Sequence, residues 1–150
     1  MGSPASTQHL SADANFASLR DEMVEQDIAA RCVRDELVLD AMRKVPRELF
    51  VPENLREFAY EDSPLPIGAG QTISQPYIIA FMAEALMLQG GEKVLEIGAG
   101  SGYAAAVLSE IVADVYTVER LDQLADSAAA RLQELGYRNV HVLHGDGTRG

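Results

Sequence analysis

A chain of 150 residues with 47% apolar residues can enclose one hydrophobic core, which argues against a disordered chain. No apolar run approaches the roughly 20 residues of a membrane helix and no secretory signal is visible, so no membrane partner is expected. The net charge of −11 argues against nucleic acid as a partner, because phosphate binding depends on lysine and arginine. A single cysteine, Cys32, permits no internal disulfide and fits the reducing cytoplasm.

The N-terminal residues predict a flexible, polar tail over residues 1–15, followed by two helices. Apolar residues at helical spacing predict the first helix over residues 16–33. Asp35 is expected to cap a second helix, which ends before Pro46. The buried side of this second helix is predicted to carry Leu37, Val38, Ala41, Met42 and Val45.

Residues 61–76 contain three prolines and two glycines, which predicts a loop. Pro76 suits the first turn of a helix that runs to about Gln89, because its missing N–H costs nothing there. Residues 16–90 are therefore interpreted as a helical segment and a loop that precede the main domain. The buried residues of the helix after Pro76 are predicted to be Ile79, Met82, Ala83 and Leu86.

Residues 91–150 alternate between short β-branched runs and helical stretches. Short connections in such an alternation imply a parallel sheet with right-handed crossovers. The predicted class is therefore α/β, a Rossmann-like three-layer fold whose first three parallel strands have the order 3-2-1. The predicted strands are 93–97, 115–118 and 140–143, and the helices between them are 101–112 and 121–135.

A glycine-rich turn, Gly98-Ala99-Gly100-Ser101-Gly102, follows the first of these strands and opens a helix. A dinucleotide site would have glycine or alanine at the sixth place of G-x-G-x-x-G, where this chain has Tyr103. The spacing G-x-G-x-G, with Glu96 before it, instead resembles the first motif of class I methyltransferases. Their cofactor has no pyrophosphate and needs an acid near its ammonium group. A tight turn that binds no ligand is the alternative.

Two further acidic positions stand at strand ends. Glu119 ends the second strand, where a carboxylate can accept hydrogen bonds from both ribose hydroxyls, although a surface glutamate is the alternative. Asp146-Gly147 follows the third strand. In the methyltransferase pattern this Asp meets the adenine amino group and the Gly leaves space for the ring. Taken alone, the sequence Asp146-Gly147 is equally typical of a β-turn.

Three segments resemble the protein-L-isoaspartate O-methyltransferase family. They are V-P-R-E-L-F-V at 45–51, L-P-I-G at 65–68 and G-Q-T-I-S-Q-P at 70–76. The resemblance extends over about residues 16–150 and implies methyl transfer from S-adenosyl-L-methionine to isoaspartyl residues of damaged proteins or peptides. The methyl ester would collapse to a succinimide, whose hydrolysis returns some normal aspartate. Such repair needs no strong general base, because a carboxylate is already ionised at neutral pH.

The resemblance also implies residue roles. Ser74 is the expected catalytic residue, in a loop from Gln71 to Pro76 that closes over cofactor and substrate; a static connector is the alternative. No metal site is expected, because His9, His141 and His144 have no motif partners. The cofactor-binding residues are predicted to be Gln71, Thr72, Ile73, Ser74, Glu96, Gly98, Ala99, Gly100, Glu119, Arg120, Asp146 and Gly147.

Family members continue for several strands beyond the segment that ends at Gly150, so one sheet edge of this chain is expected to lack a partner. The chain is interpreted as the N-terminal portion of a longer enzyme. A homo-oligomer that covers the edge and a non-catalytic cofactor-binding module are the alternatives. A methyltransferase that acts on an aspartate of a peptide natural product is the alternative within the same chemistry.

Overall fold

The computed structural model describes the backbone of residues 4–150 and the side chains of residues 12, 13 and 15–150. No helix within residues 4–150 is long and apolar enough to cross a membrane. The helices are α1 (Pro4–Met23), α2 (Glu36–Lys44), α3 (Pro76–Ala85), α4 (Tyr103–Ser109) and α5 (Asp122–Glu134). The strands are β1 (Leu65–Gly68), β2 (Gln71–Ile73), β3 (Lys93–Ile97), β4 (Asp114–Glu119) and β5 (Val140–His144).

Helix α1 begins earlier than the sequence predicts, at Pro4 instead of residue 16, inside the segment interpreted as a tail. Residues 1–3 lie outside the described part of the chain, and the division into tail, helical segment and cofactor domain stays a prediction. A π-helical turn (Val24–Ile28) and a 3-10 turn (Ala29–Arg31) continue the helix to Cys32, which has a φ of 73°.

Helix α2 begins at the predicted cap. The Asp35 carboxylate accepts a hydrogen bond of 2.9 Å from the Leu37 N–H. The prediction that Leu37 is buried is wrong, since 45% of it is exposed while Leu39 is buried. In a helix that starts at Glu36, positions 38, 39, 41 and 42 form one face whose centre lies between positions 38 and 42, and position 37 is turned about 120° away from that centre. Val38, Ala41, Met42 and Val45 are buried as predicted.

The predicted loop over residues 61–76 contains an antiparallel hairpin of β1 and β2, in which Leu65 pairs with Ile73. The loop prediction is therefore wrong for this part. Strands of only four and three residues give too little alternation for a period to be recognised. The tip of the hairpin turns through Gly68, Ala69 and Gly70, all of which have positive φ.

Helix α3 ends at Ala85 rather than near Gln89, and its buried face is narrower than predicted. Ala83 is buried and Ile79 is half-buried, but Met82 is 60% exposed and Leu86 is 52% exposed. The prediction that these last two residues are core residues is wrong. Both side chains line an open cavity described below instead of packing against another element.

Strands β3, β4 and β5 form a parallel sheet in that spatial order, which confirms the predicted order 3-2-1 and the α/β class. One face of the sheet packs on the core through Val115 and Thr117, which are fully buried. On the opposite face, Leu95, Ile97 and Leu143 are 63%, 57% and 50% exposed. Among the described strands, β3 pairs only with β4, so its outer edge is the unpartnered edge that the sequence predicts.

A buried arginine joins the N-terminal segment to α4. Arg47 is fully buried, and its Nε donates a 2.7 Å hydrogen bond to the Ala59 carbonyl. Its guanidinium lies 4.8 Å from the ring centroid of Tyr103, the first residue of α4. The segment before the hairpin is thereby attached to the helix that follows the glycine-rich turn.

We expect Asp35→Ala to lower the free energy of unfolding by about 1 kcal/mol, because the first turn of α2 loses its side-chain acceptor. Asp35→Asn is the matched control, since its amide oxygen can still accept the bond. Urea denaturation followed by circular dichroism measures both. An equal loss in the two variants would show that the charge of Asp35, and not its cap, stabilises the helix.

Candidate functional site

The glycine-rich turn after β3 is held against the end of β4 by backbone hydrogen bonds. The Gly98 and Ala99 N–H groups donate to the Val118 carbonyl at 2.7 and 3.3 Å. Gly98, Gly100 and Gly102 have φ values of 94°, 56° and 93°, a region that favours glycine. A Cβ at Gly102 would lie 3.0 Å from Leu132, so this glycine also lets α4 approach α5. These constraints explain why the third glycine comes one residue earlier than in a dinucleotide motif.

Glu119 completes the attachment of the turn. One carboxylate oxygen accepts a 2.9 Å hydrogen bond from the Gly100 N–H, and the other accepts one of 2.9 Å from the Leu121 N–H. The residue is only 7% exposed. Each carboxylate oxygen can accept more than one bond, so Glu119 retains acceptor capacity towards a ligand. The alternative of a plain surface glutamate is wrong, because Glu119 is buried and bonded.

Glu96 faces a cavity from the neighbouring strand. Its carboxylate accepts a 2.5 Å hydrogen bond from the hydroxyl of Thr117. Burial raises the pKa of Glu96 to about 7; the Thr117 bond acts in the opposite direction, and the negative charge of Glu119 adds to the increase. Glu96 therefore changes its ionisation near neutral pH.

The β1–β2 hairpin lies over the glycine-rich turn. A Cβ built on Gly100 would lie 3.3 Å from Cδ1 of Ile67. Ser74, which follows β2, is exposed. The residues that follow Ser74 are held by Asp62, whose carboxylate accepts bonds from Gln75 Nε2 at 2.8 Å and from the Tyr77 N–H at 3.1 Å. The base of the hairpin is thus anchored beside the turn.

Two adjoining cavities share Thr72, Ile97, Gly98 and Gly100 in their walls. The second lies at the carboxyl ends of the strands, and the first extends from the end of β3 back along this strand to Val94. The first has a volume of about 380 Å³ and is walled by Glu96, Ser74 and apolar side chains of α3. The second has about 320 Å³ and is walled by Glu119 and the segment after β5. Each volume lies within the usual range for small-molecule sites.

All twelve residues that the sequence assigns to the site line one of these cavities. Their roles towards a ligand stay predictions. Ile73, Ser74, Glu96 and Ala99 line the first cavity, Gln71, Glu119, Arg120, Asp146 and Gly147 line the second, and Thr72, Gly98 and Gly100 line both.

The segment after β5 approaches β3 closely. A Cβ at Gly147 would lie 2.6 Å from Cγ2 of Ile97, so any other residue here would force Ile97, which lines both cavities, to move. Asp146 Oδ1 accepts bonds from the Thr148 N–H at 3.0 Å and its hydroxyl at 2.7 Å. These bonds lower the pKa of Asp146, and its other oxygen, Oδ2, lies 3.8 Å from Arg149 Nε in an exposed ion pair. The β-turn reading and the ligand role are therefore compatible.

Sequence reasoning missed Ser101, Met82 and Leu86. The Ser101 hydroxyl is buried and has no hydrogen-bond partner among the described residues, and Ser101 lines the first cavity. A buried, unpaired hydroxyl favours a polar ligand group, since leaving it unsatisfied costs free energy. Its place inside the glycine-rich turn was the available signal. Met82 and Leu86 were interpreted as core residues because a cavity wall and a core face share the same helical period.

His141 and His144, both on β5, each contact a residue of β4 or of the segment that follows it. His141 Nε2 lies 3.1 Å from Asp114 Oδ1, and His144 Nε2 lies 3.1 Å from the Arg120 carbonyl oxygen. Among the side chains that the structure describes, no group of three or more His, Cys, Asp or Glu could hold a metal ion. His9 lies outside the described side chains.

A family model, Protein-L-isoaspartate(D-aspartate) O-methyltransferase (PCMT), matches residues 18–150. The chain belongs to this family. Protein-L-isoaspartate O-methyltransferase 1 of Rhodopseudomonas palustris strain HaA2 is 66% identical over 136 residues, which are 91% of this chain and 56% of that protein. Protein-L-isoaspartate O-methyltransferase of Rhodopseudomonas palustris strain ATCC BAA-98 / CGA009 is 67% identical over 128 residues, which are 85% of this chain and 59% of that protein. The chain therefore spans less than two thirds of these relatives.

Solved structures of the PCMT family share the fold. A protein-L-isoaspartate O-methyltransferase superposes with a TM-score of 0.75 at 32% identity, over 85% of this chain and 42% of that one. A candidate family member from Plasmodium falciparum, in complex with S-adenosyl-L-homocysteine, superposes with a TM-score of 0.72 at 23% identity, over 85% of this chain and 63% of that one. The second likeness supports the fold alone.

We expect Glu119→Ala to lower the free energy of unfolding by about 1.5–3 kcal/mol, because the Gly100 and Leu121 N–H groups lose a charged acceptor. Asp126→Ala removes the same charge from an exposed position of α5 and serves as the control. Urea denaturation of both variants gives the comparison. Equal, small losses would mean that the turn keeps its shape without the carboxylate.

Proposed function

We propose that this chain forms the S-adenosyl-L-methionine-binding part of a carboxyl methyltransferase that acts on isoaspartyl residues of damaged proteins. One observation carries the proposal. Glu96, the glycine-rich turn, Glu119 and the Ser74 hairpin meet around the two adjoining cavities. The family membership and the names of the relatives support the same reading.

The residues present fit this cofactor. Glu119 would accept hydrogen bonds from the ribose hydroxyls, and the segment Asp146-Gly147 would border the adenine in the second cavity. Among the described residues that line the first cavity, Glu96 is the only charged side chain, so that cavity suits an ammonium group. The Ser101 hydroxyl, to which the described part of the chain offers no partner, would gain a polar partner there. When bound, the cofactor supplies an electrophilic methyl group on a sulfonium sulfur.

The chain's own residues contribute position and exclusion of water. The isoaspartyl carboxylate is ionised at neutral pH and is itself the nucleophile, so no strong base is required. Ser74, at the mouth of the first cavity, would donate a hydrogen bond that orients this carboxylate for in-line attack. Met82 and Leu86 offer an apolar wall that keeps water from the reacting atoms. Isoaspartyl proteins are therefore the proposed partners, and a cytoplasmic location and a homo-oligomer stay predictions.

The substrate assignment predicts that the whole protein transfers labelled methyl groups from S-adenosyl-L-methionine to an isoaspartyl peptide and leaves its aspartyl twin unlabelled. Both peptides have the same composition and charge, so the comparison isolates the position of the carboxylate. Labelling of the aspartyl peptide alone would overturn the repair assignment and favour a peptide natural product as substrate. Cofactor binding without labelling of either peptide would favour a non-catalytic module.

We expect Ser74→Ala in the whole protein to lower turnover by roughly 10- to 1000-fold and to leave cofactor affinity nearly unchanged, because the lost bond is made to the reacting group. Ser127→Ala, at an exposed position of α5, is the control. Steady-state kinetics and calorimetry with S-adenosylhomocysteine measure the two effects. A parallel loss of affinity would place Ser74 in the cofactor pocket instead.

A further inference from the structure

Thr117 lies behind the candidate site rather than in it. It pairs in register with Glu96 across the parallel strands β3 and β4, and it is fully buried. Glu96 lines the first cavity, whereas Thr117 lines neither cavity. The 2.5 Å hydrogen bond from the Thr117 hydroxyl therefore reaches a carboxylate whose other side faces the cavity.

Few charged groups surround Glu96. Glu119 stands two residues beyond Thr117 on the same face of β4, and its negative charge opposes ionisation of Glu96. From α4, Tyr103 contributes a buried phenol whose hydroxyl contacts the sulfur of Met42 at 3.8 Å. Among the described residues, neither the hairpin nor α3 places a charged side chain in the wall of this cavity.

Without a stabilising contact, burial would favour the neutral form of Glu96, which cannot pair with a cation. The Thr117 hydroxyl is the one hydrogen-bond donor that the described side chains provide to this carboxylate. Valine has the same shape as threonine and would fill the same space in β4, so packing alone does not require a hydroxyl here. A buried hydroxyl that donates to an acid in a cavity wall indicates a role in the acid's ionisation and orientation.

We infer that Thr117 is a positioning residue whose hydroxyl holds the Glu96 carboxylate at the wall of the first cavity and favours its ionised form, which can pair with a cationic amine. This inference rests on the proposed function, which supplies the amine as the ammonium group of the cofactor. Thr117 touches no ligand in this scheme and acts only through Glu96.

The consequence is a pH dependence of binding. Since burial raises the pKa of Glu96 to about 7, the ionised fraction grows as the pH rises through neutrality, and affinity for the amine grows with it. The Thr117 bond favours the ionised form, so its removal moves the midpoint of this rise to higher pH. A hydrogen bond to a charged group corresponds to a displacement of about one pH unit.

The test compares Thr117→Val with Thr117→Ser, which keeps the hydroxyl. Carbon-13 NMR follows the titration of Glu96 in the ligand-free chain, and calorimetry measures S-adenosylhomocysteine affinity from pH 5.5 to 8.5. For Thr117→Val we expect a Glu96 midpoint about one pH unit higher and an affinity roughly tenfold weaker at pH 6, with the deficit shrinking above pH 8. Thr117→Ser should follow the parent chain in both measurements.

An unchanged Glu96 titration in Thr117→Val, or an affinity deficit of the same size at every pH, would overturn the inference. Denaturation curves of the two variants show whether Thr117→Val folds. A loss of affinity in Thr117→Ser as large as that in Thr117→Val would also contradict the inference. If the parent chain does not bind S-adenosylhomocysteine, the proposed function fails. The NMR titration would still decide whether Thr117 controls Glu96.

Discussion

The site depends on one carboxylate, Glu119, whose hydrogen bonds hold the glycine-rich turn next to the loop between β4 and α5. Its two oxygens receive the N–H groups of Gly100 and Leu121 from opposite sides. Because the same carboxylate faces the second cavity, the group that fixes the backbone is also the group available to a ligand. Glu119 also holds Gly100, which lies in the wall that the two cavities share.

The N-terminal segment is a second constraint, because it positions the hairpin that covers the turn. Arg47 attaches the segment before the hairpin to Tyr103 of α4, and Asp62 holds Gln75 and the first turn of α3. Ser74 directly precedes the residues that Asp62 holds, and the hairpin tip turns at residues 68–70.

The sequence predicted the local structure best where the backbone conformation and the side-chain contacts both require the same type of residue. Positive φ at Gly98 and Gly100, the cap at Asp35 and the β-branched runs of the sheet each specified one local structure. The hairpin of β1 and β2 was missed because its strands are too short to show a period. Met82 and Leu86 were misplaced because periodicity identifies an apolar face but not whether a core or a cavity lies against it. Thr117 carried no sequence signal, since its role depends on register with Glu96.

The central claim is that these strand ends form an S-adenosyl-L-methionine site with Glu119 as its main determinant. Calorimetric titration of the chain and of Glu119→Ala with S-adenosylhomocysteine tests it most directly, with Asp126→Ala as the control of equal charge. A charge-assisted bond of about 1.5–3 kcal/mol predicts that Glu119→Ala binds about ten- to a hundredfold more weakly. Unchanged affinity in a variant that remains folded would contradict the account.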